Sequence, residues 1–230
     1  MIHLIHPPFR YAVLRGLRNV TMAWGLMFSA VAAEPLTIVA LGDSLTAGYG
    51  LDPAQGFVPQ LQDWLVAQGQ DVTVVNAGVS GDTTAGGLSR LEWSLAPGTD
   101  ALIVTLGGND MLRGLPPEES RANLDGILKG AQAKGLPVLL VAMQAPGNYG
   151  PDYKTAFDAI YPELAAQYGA LLAPGFFAPL LDGGADPAAV QGLMQADGIH
   201  PNAEGVKRIV AGLGPLVIDL IAEAGRSQNP

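Results

Sequence analysis

A hydroxyl, an imidazole and a carboxylate can together break an acyl bond, and beyond its first thirty-three residues this 230-residue chain has one imidazole, that of His200. His200 follows Asp197 by three residues in the loop-like stretch Asp197-Gly198-Ile199-His200-Pro201-Asn202. A carboxylate at that spacing can accept a hydrogen bond from one ring nitrogen and fix the tautomer, leaving the other nitrogen free to take a proton. Ser44, in Gly42-Asp43-Ser44-Leu45, is the obvious donor, because a serine hydroxyl is a weak nucleophile until an oriented base removes its proton. The charge that grows on an attacked carbonyl oxygen needs fixed donors. The N–H groups of Ser44 and Gly81 and the side-chain amide of Asn109 are of the right kind.

Two other chemistries compete for these residues. Asp43, Asp82, Asp110, Asp197 and His200 could face one cleft as ligands of hard cations, which would make a metal-dependent phosphoesterase. Two-metal sites usually combine several bridging carboxylates with imidazoles, however, and one histidine is a poor supply. A non-catalytic secreted carbohydrate-binding protein is the second rival, since fold does not fix function, but it leaves Ser44 and His200 without a purpose.

The elements that must position these groups follow from periodicity. Short aliphatic runs at Leu36–Leu41, Val72–Asn76, Ala101–Leu106, Val138–Ala142 and Leu171–Leu172 alternate with helical patterns, the signature of an α/β domain with a parallel sheet. The spacing predicts helices over Phe57–Ala67, over Thr84–Leu95 with Leu88, Leu91 and Leu95 on one face, and from Pro116 to Gly135. Two more are predicted over Lys154–Tyr168 and over Asn202–Ala224, the last capped by Asn202. Phe57, Trp64, Trp93 and Tyr161 fall at helical spacing and are expected to pack in the core or between helices. The polar tails after the first three strands all leave a parallel sheet at its carboxyl edge, where open α/β sheets place ligands.

Composition narrows the function further. With no cysteine, the chain lacks disulfides, thiolate metal sites, a cysteine nucleophile and a lipidated cysteine. A net charge of −9 with no basic patch argues against nucleic acid. Residues 1–33 differ from the rest: Arg10, Arg15 and Arg18 precede the apolar run Val20–Ala33, which ends in small residues, and no acid appears before Glu34. A run of fourteen residues is too short to span a bilayer that needs about twenty, and the three-part order fits a secretory signal cleaved near Ala33. The expectation is an exported protein, periplasmic or secreted, with residues 34–230 as one domain and no stable membrane insertion.

Gly42-Asp43-Ser44-Leu45, Gly78-Val79-Ser80-Gly81-Asp82, Gly107-Gly108-Asn109-Asp110 and Asp197-Gly198-Ile199-His200-Pro201 resemble, in order, the four blocks of the SGNH hydrolases, also called GDSL esterases and lipases. The likeness runs from Leu36 to Ala224. It is strongest to the bacterial periplasmic arylesterases and acyl thioesterase/lysophospholipases, which also carry a stretch like Asn148-Tyr149-Gly150. The resemblance implies a three-layer α/β/α flavodoxin-like SGNH fold with a mainly parallel five-stranded sheet. It implies Ser44 as nucleophile, His200 as base, Asp197 as its orienter, and Ser44 N–H, Gly81 N–H and Asn109 as the oxyanion hole. The family's flexible cleft loop corresponds to Met111–Pro116, with Met111, Leu112 and Leu115 set to close over an acyl chain. No cofactor and no metal are implied. The implied substrates are small acyl esters, with acyl thioesters and lysophospholipids beside them, and the implied state is a monomer.

Overall fold

Two of the five aliphatic runs, those beginning at Ala101 and Val138, are buried along their whole length, and this fits them to the centre of the sheet. The computed structural model describes residues 35–181 and 190–228, with residues 1 and 3. The chain divides into the units Met1–Ala33 and Glu34–Pro230, and the fold is that of the second; the expected signal segment lies outside the described residues. Strands β1 (Leu36–Gly42), β2 (Val72–Gly78), β3 (Ala101–Thr105), β4 (Val138–Val141) and β5 (Leu171–Ala173) form one sheet in the order β2-β1-β3-β4-β5, every pair parallel. Central β3 and β4 are apolar without alternation because both faces are covered. Edge strand β2 alternates, with Val72 and Val74 buried and Thr73 and Val75 exposed.

Parallel strands need crossovers. Helices α1 (Ser44–Ala47) and α2 (Phe57–Ala67) connect β1 to β2; α3 (Thr84–Ser89) and α4 (Leu91–Ser94) connect β2 to β3; α5 (Gly108–Leu112) and α6 (Pro117–Ala133) connect β3 to β4; α7 (Pro151–Tyr168) connects β4 to β5. Helices α8 (Ala178–Leu181) and α9 (Ala203–Gln228) follow. Helices α2 and α9 pack together, and α6 packs with α3 and α7, which gives the three-layer flavodoxin-like architecture expected from the sequence. Helix α2 buries Phe57, Val58, Leu61 and Leu65, and α6, opened by Pro117 with Glu118 and Glu119 in its first turn, buries Leu124, Ile127, Leu128 and Ala131. The Asn202 side chain caps α9 by accepting from Gly205 N at 3.0 Å.

The structure corrects two expectations. The helix predicted over Thr84–Leu95 is broken at Arg90, whose backbone (φ −110, ψ 6) ends α3 and starts α4. The Arg90 side chain turns inward, pairing with Asp82 at 2.6 Å and donating to the carbonyls of Ala77 and Gly42 at 2.8 and 2.9 Å. Trp93, two residues from both Leu91 and Leu95, lies on the helix face opposite these buried leucines and is 86% exposed instead of packed. Phe57 and Tyr161 are buried and Trp64 packs against the core, as expected. No helix among the described residues is long and apolar enough to cross a membrane.

Candidate active site

Strand register brings the polar blocks together. Gly42 of β1 is level with Gly78 of β2 and with Thr105 of β3, so the chain leaves three adjacent strands at one height. The order reverses between β1 and β3, the switch point where such sheets open a crevice. Ser44 is the first residue of α1, and its N–H belongs to the first turn, where no intrahelical acceptor exists. Gly81 adopts φ +85, a conformation that L side chains rarely take, and Arg113 holds its peptide from the carbonyl side at 2.8 Å. Asn109 sits in the first turn of α5, entered through Gly107 at φ +112. A Cβ on Gly107 would collide with the hydroxyl of Tyr161, which donates to Leu106 O at 2.9 Å.

His200 reaches this edge from the loop before α9. Its Nε2 lies 2.8 Å from Ser44 Oγ across 156 residues of sequence, and its Nδ1 lies 2.7 Å from Asp197 Oδ2. Asp197 Oδ1 accepts from the backbone N–H groups of His200 at 3.0 Å and Ile199 at 2.9 Å. The His200 N–H bond, then the imidazole contact and the Ile199 N–H bond, hold the Asp197 carboxyl down to about 2, so it stays ionised across the working range. An ionised acceptor at Nδ1 makes that nitrogen the donor and leaves Nε2 unprotonated and facing Ser44 Oγ.

Asp43 ties nucleophile and amide together. It is 2% exposed; one carboxylate oxygen caps α1 by accepting from Leu45 N at 3.0 Å, and the other accepts from Asn109 Nδ2 at 3.2 Å. That bond fixes which way the Asn109 amide faces, and the amide, which lines the cavity, keeps a second N–H to donate. Burial pushes the Asp43 carboxyl up to about 6, against the opposing pull of the Leu45 and Asn109 hydrogen bonds. Asp110 is likewise buried, accepting from Thr84 N, Thr84 Oγ1 and Ser120 Oγ, and so joins α5 to α3 and α6. The carboxylates considered as metal ligands are thus engaged elsewhere: Asp82 on Arg90, Asp110 on Thr84, Asp43 on Asn109 and Asp197 on His200. Among the described residues, no three His, Cys, Asp or Glu side chains converge as a metal site.

Ser44, His200, Gly81 and Asn109 line a cavity of about 300 Å³. Met111, Leu112, Met143, Phe177 and Ile199 add apolar lining, and the Tyr49 ring lies beside the imidazole. Met111, Met143 and Phe177 also line an adjoining cavity of about 190 Å³ that runs to Phe176 and Leu181. Of the expected cleft residues, Met111 and Leu112 are in place, within the helical turn of α5 rather than a free loop. Leu115 does not line the cavity. Its backbone ties the segment down, with N–H donated to Asp110 O and the carbonyl accepting from Tyr153 Oη at 2.9 Å. Sequence reasoning missed Tyr49, Met143, Phe177 and Ile199. Met143 follows β4 at the carboxyl edge, which could have flagged it; Phe177 carries no local signal. A recess of about 490 Å³ at the amino ends of β4 and β5 contains no histidine.

Residues 40–208 match the model of the GDSL-like lipase/acylhydrolase family. The chain belongs to that family. Esterase TesA of Pseudomonas aeruginosa is 44% identical over 201 residues, covering 87% of this chain and 96% of its own. The arylesterase of Vibrio mimicus is 35% identical, covering 82% and 91%. Thioesterase 1/protease 1/lysophospholipase L1 of Escherichia coli K12 is 37% identical, covering 86% and 85%. The crystal structure of AlinE4, an SGNH-hydrolase family esterase, superposes with a TM-score of 0.66 at 44% identity, covering 81% of this chain and 96% of that one. This GDSL-family protein is a carboxylic ester hydrolase on an SGNH fold.

Proposed function

We propose that this hydrolase works through an acyl-enzyme on Ser44, with His200 as general base and acid, Asp197 as its orienter, and Ser44 N–H, Gly81 N–H and Asn109 Nδ2 as the oxyanion hole. The observation that carries the reading is the continuous relay from Asp197 Oδ2 through His200 to Ser44 Oγ, at 2.7 and 2.8 Å. Ser44 Oγ forms a bond to the carbonyl carbon as its proton passes to His200 Nε2, and the carbonyl electron pair moves onto oxygen. Collapse breaks the bond to the leaving group, which takes the proton from Nε2. Water then attacks the acyl-enzyme, giving its proton to Nε2, and collapse returns that proton to Ser44 Oγ and releases the acid.

The substrates in this reading are water-soluble esters of short to medium acyl chains, aryl esters among them, with acyl thioesters and lysophospholipids as further substrates. Two linked cavities of about 300 and 190 Å³ support an acyl group of that size, as do the names of the relatives above. The order of Arg10, Arg15, Arg18 and the apolar Val20–Ala33 supports export through a cleaved signal.

The test is Ser44→Ala. It should abolish covalent labelling by a serine-reactive phosphonate and leave only a small residual rate on p-nitrophenyl butanoate, because the triad acts as a unit. Near-normal turnover by a folded S44A protein would falsify the mechanism. Esterase activity lost on dialysis against EDTA and restored by Mn²⁺ would move the assignment to the metallophosphoesterase class.

A further inference from the structure

In acyl transfer through a serine, the departing oxygen must meet the base that protonates it, so the leaving group lies beside His200 Nε2 while the acyl group lies away from it. This divides the cavity. Met111, Met143 and Phe177 also line the second cavity and belong to the acyl side, whereas the Tyr49 ring lies against the imidazole.

Tyr49 has no role in the relay, yet its ring is held close to it. The ring centroid is 4.7 Å from that of His200 at an interplanar angle of 39°, and Tyr49 is still 53% exposed, open to the cavity mouth. Its backbone is fixed at both ends. Tyr49 N donates to Ser44 O at 3.1 Å, and Tyr49 O accepts from Gln195 Nε2 at 2.8 Å. The same Gln195 amide donates to Pro201 O at 3.0 Å, and Gln195 N donates to His200 O at 2.8 Å. One side chain therefore clamps the segment after the nucleophile to the loop carrying the base, and the aromatic face keeps its place relative to both. Ile199, 47% exposed, lines the same cavity.

We infer that Tyr49 is the leaving-group platform: a preorganised aromatic surface that stacks the ring of an aryl ester's phenol as its oxygen leaves toward His200, so that the enzyme prefers aryl to small alkyl leaving groups. The inference rests on the hydrolase reading and adds to it the residue that selects among leaving groups. An aromatic pair at such spacing contributes beyond simple area burial, enough for a several-fold preference in rate. Gln195 is a positioning residue for the platform.

The experiment compares phenyl butanoate with ethyl butanoate for wild type, Tyr49→Phe, Tyr49→Leu and Tyr49→Ala, reading kcat/KM for each ester and the deacylation rate of the shared butanoyl-enzyme by stopped flow. The aryl-to-alkyl ratio of kcat/KM should fall about threefold to tenfold in Y49A, fall partly in Y49L and hold in Y49F. Deacylation, after the leaving group has gone, should keep its rate in all four. An equal fall for both esters, or a slowed deacylation, means that Tyr49 acts by packing His200 and overturns the platform alone. Wild-type enzyme that cleaves neither ester overturns the hydrolase reading and the inference with it.

Discussion

Asn109 and Asp43 are the residues whose roles differ most from what their types suggest. A Gly-Gly-Asn-Asp sequence is a common turn, but the Asn109 amide is oriented by a buried carboxylate and lines the cavity. Asn109→Ala should therefore lower kcat by ~10²–10³ with KM little changed, because the donor acts mainly as charge develops on the carbonyl oxygen. Steady-state kinetics and thermal unfolding on one N109A preparation check this: a turn residue would instead lose melting temperature and keep kcat within a few-fold. Asp43 makes a prediction about pH. Its carboxyl is raised by burial from 3.8 to about 6, so between those values the folded protein holds more protons than the unfolded chain. Stability must then fall as pH rises through that window and level off above it, by on the order of 3 kcal/mol for this group. Asp43→Asn has no such group, so its stability relative to wild type should rise between about pH 4 and pH 6.5 in denaturant titrations. A difference that stays flat over that range contradicts the burial argument.

At the level of elements, the Arg90 break matters more than its length suggests. The leucines of Thr84–Leu95 continue at helical spacing, and no local signal marks the interruption. What stops the helix is a tertiary demand: the carbonyls of Gly42 and Ala77, at the ends of β1 and β2, receive their donors from the Arg90 guanidinium. The same side chain neutralises Asp82, with both side chains only 16% and 17% exposed. Arg90→Ala leaves a mostly buried carboxylate and two carbonyls without that partner and should cost about 2–4 kcal/mol of stability, read as a lower urea midpoint. Activity per folded molecule should fall too, because these strand ends set the height of Ser44 and Gly81. An R90A protein with wild-type stability would show that the brace is redundant. Elements with strong internal periodicity fare differently: α2 runs over Phe57–Ala67 as its apolar spacing predicts, because burial of one face is encoded locally.

For the whole molecule, export is the expectation with a direct measurement. The exported protein should begin near Glu34 by mass spectrometry, and recovery of an intact Met1 terminus would end that reading. Beyond it, the amino-acid sequence by itself determined the α/β class, the five strands and most helices, and it singled out the proposed catalytic set, because side-chain chemistry and hydrophobic period are properties of short stretches. His200 became the candidate base because the expected cleavage near Ala33 removes His3 and His6. The tertiary structure alone decided what depends on residues far apart in the chain. Register levelled Gly42 with Gly78 and Thr105. Packing brought Phe177 and Met143 to the cavity beside Ser44 and set Tyr49 against His200 through a clamp, Gln195, that lies 146 residues from Tyr49. Such contacts are fixed by how helices and strand ends fit against one another across the sheet, a fit that no local pattern of residues encodes.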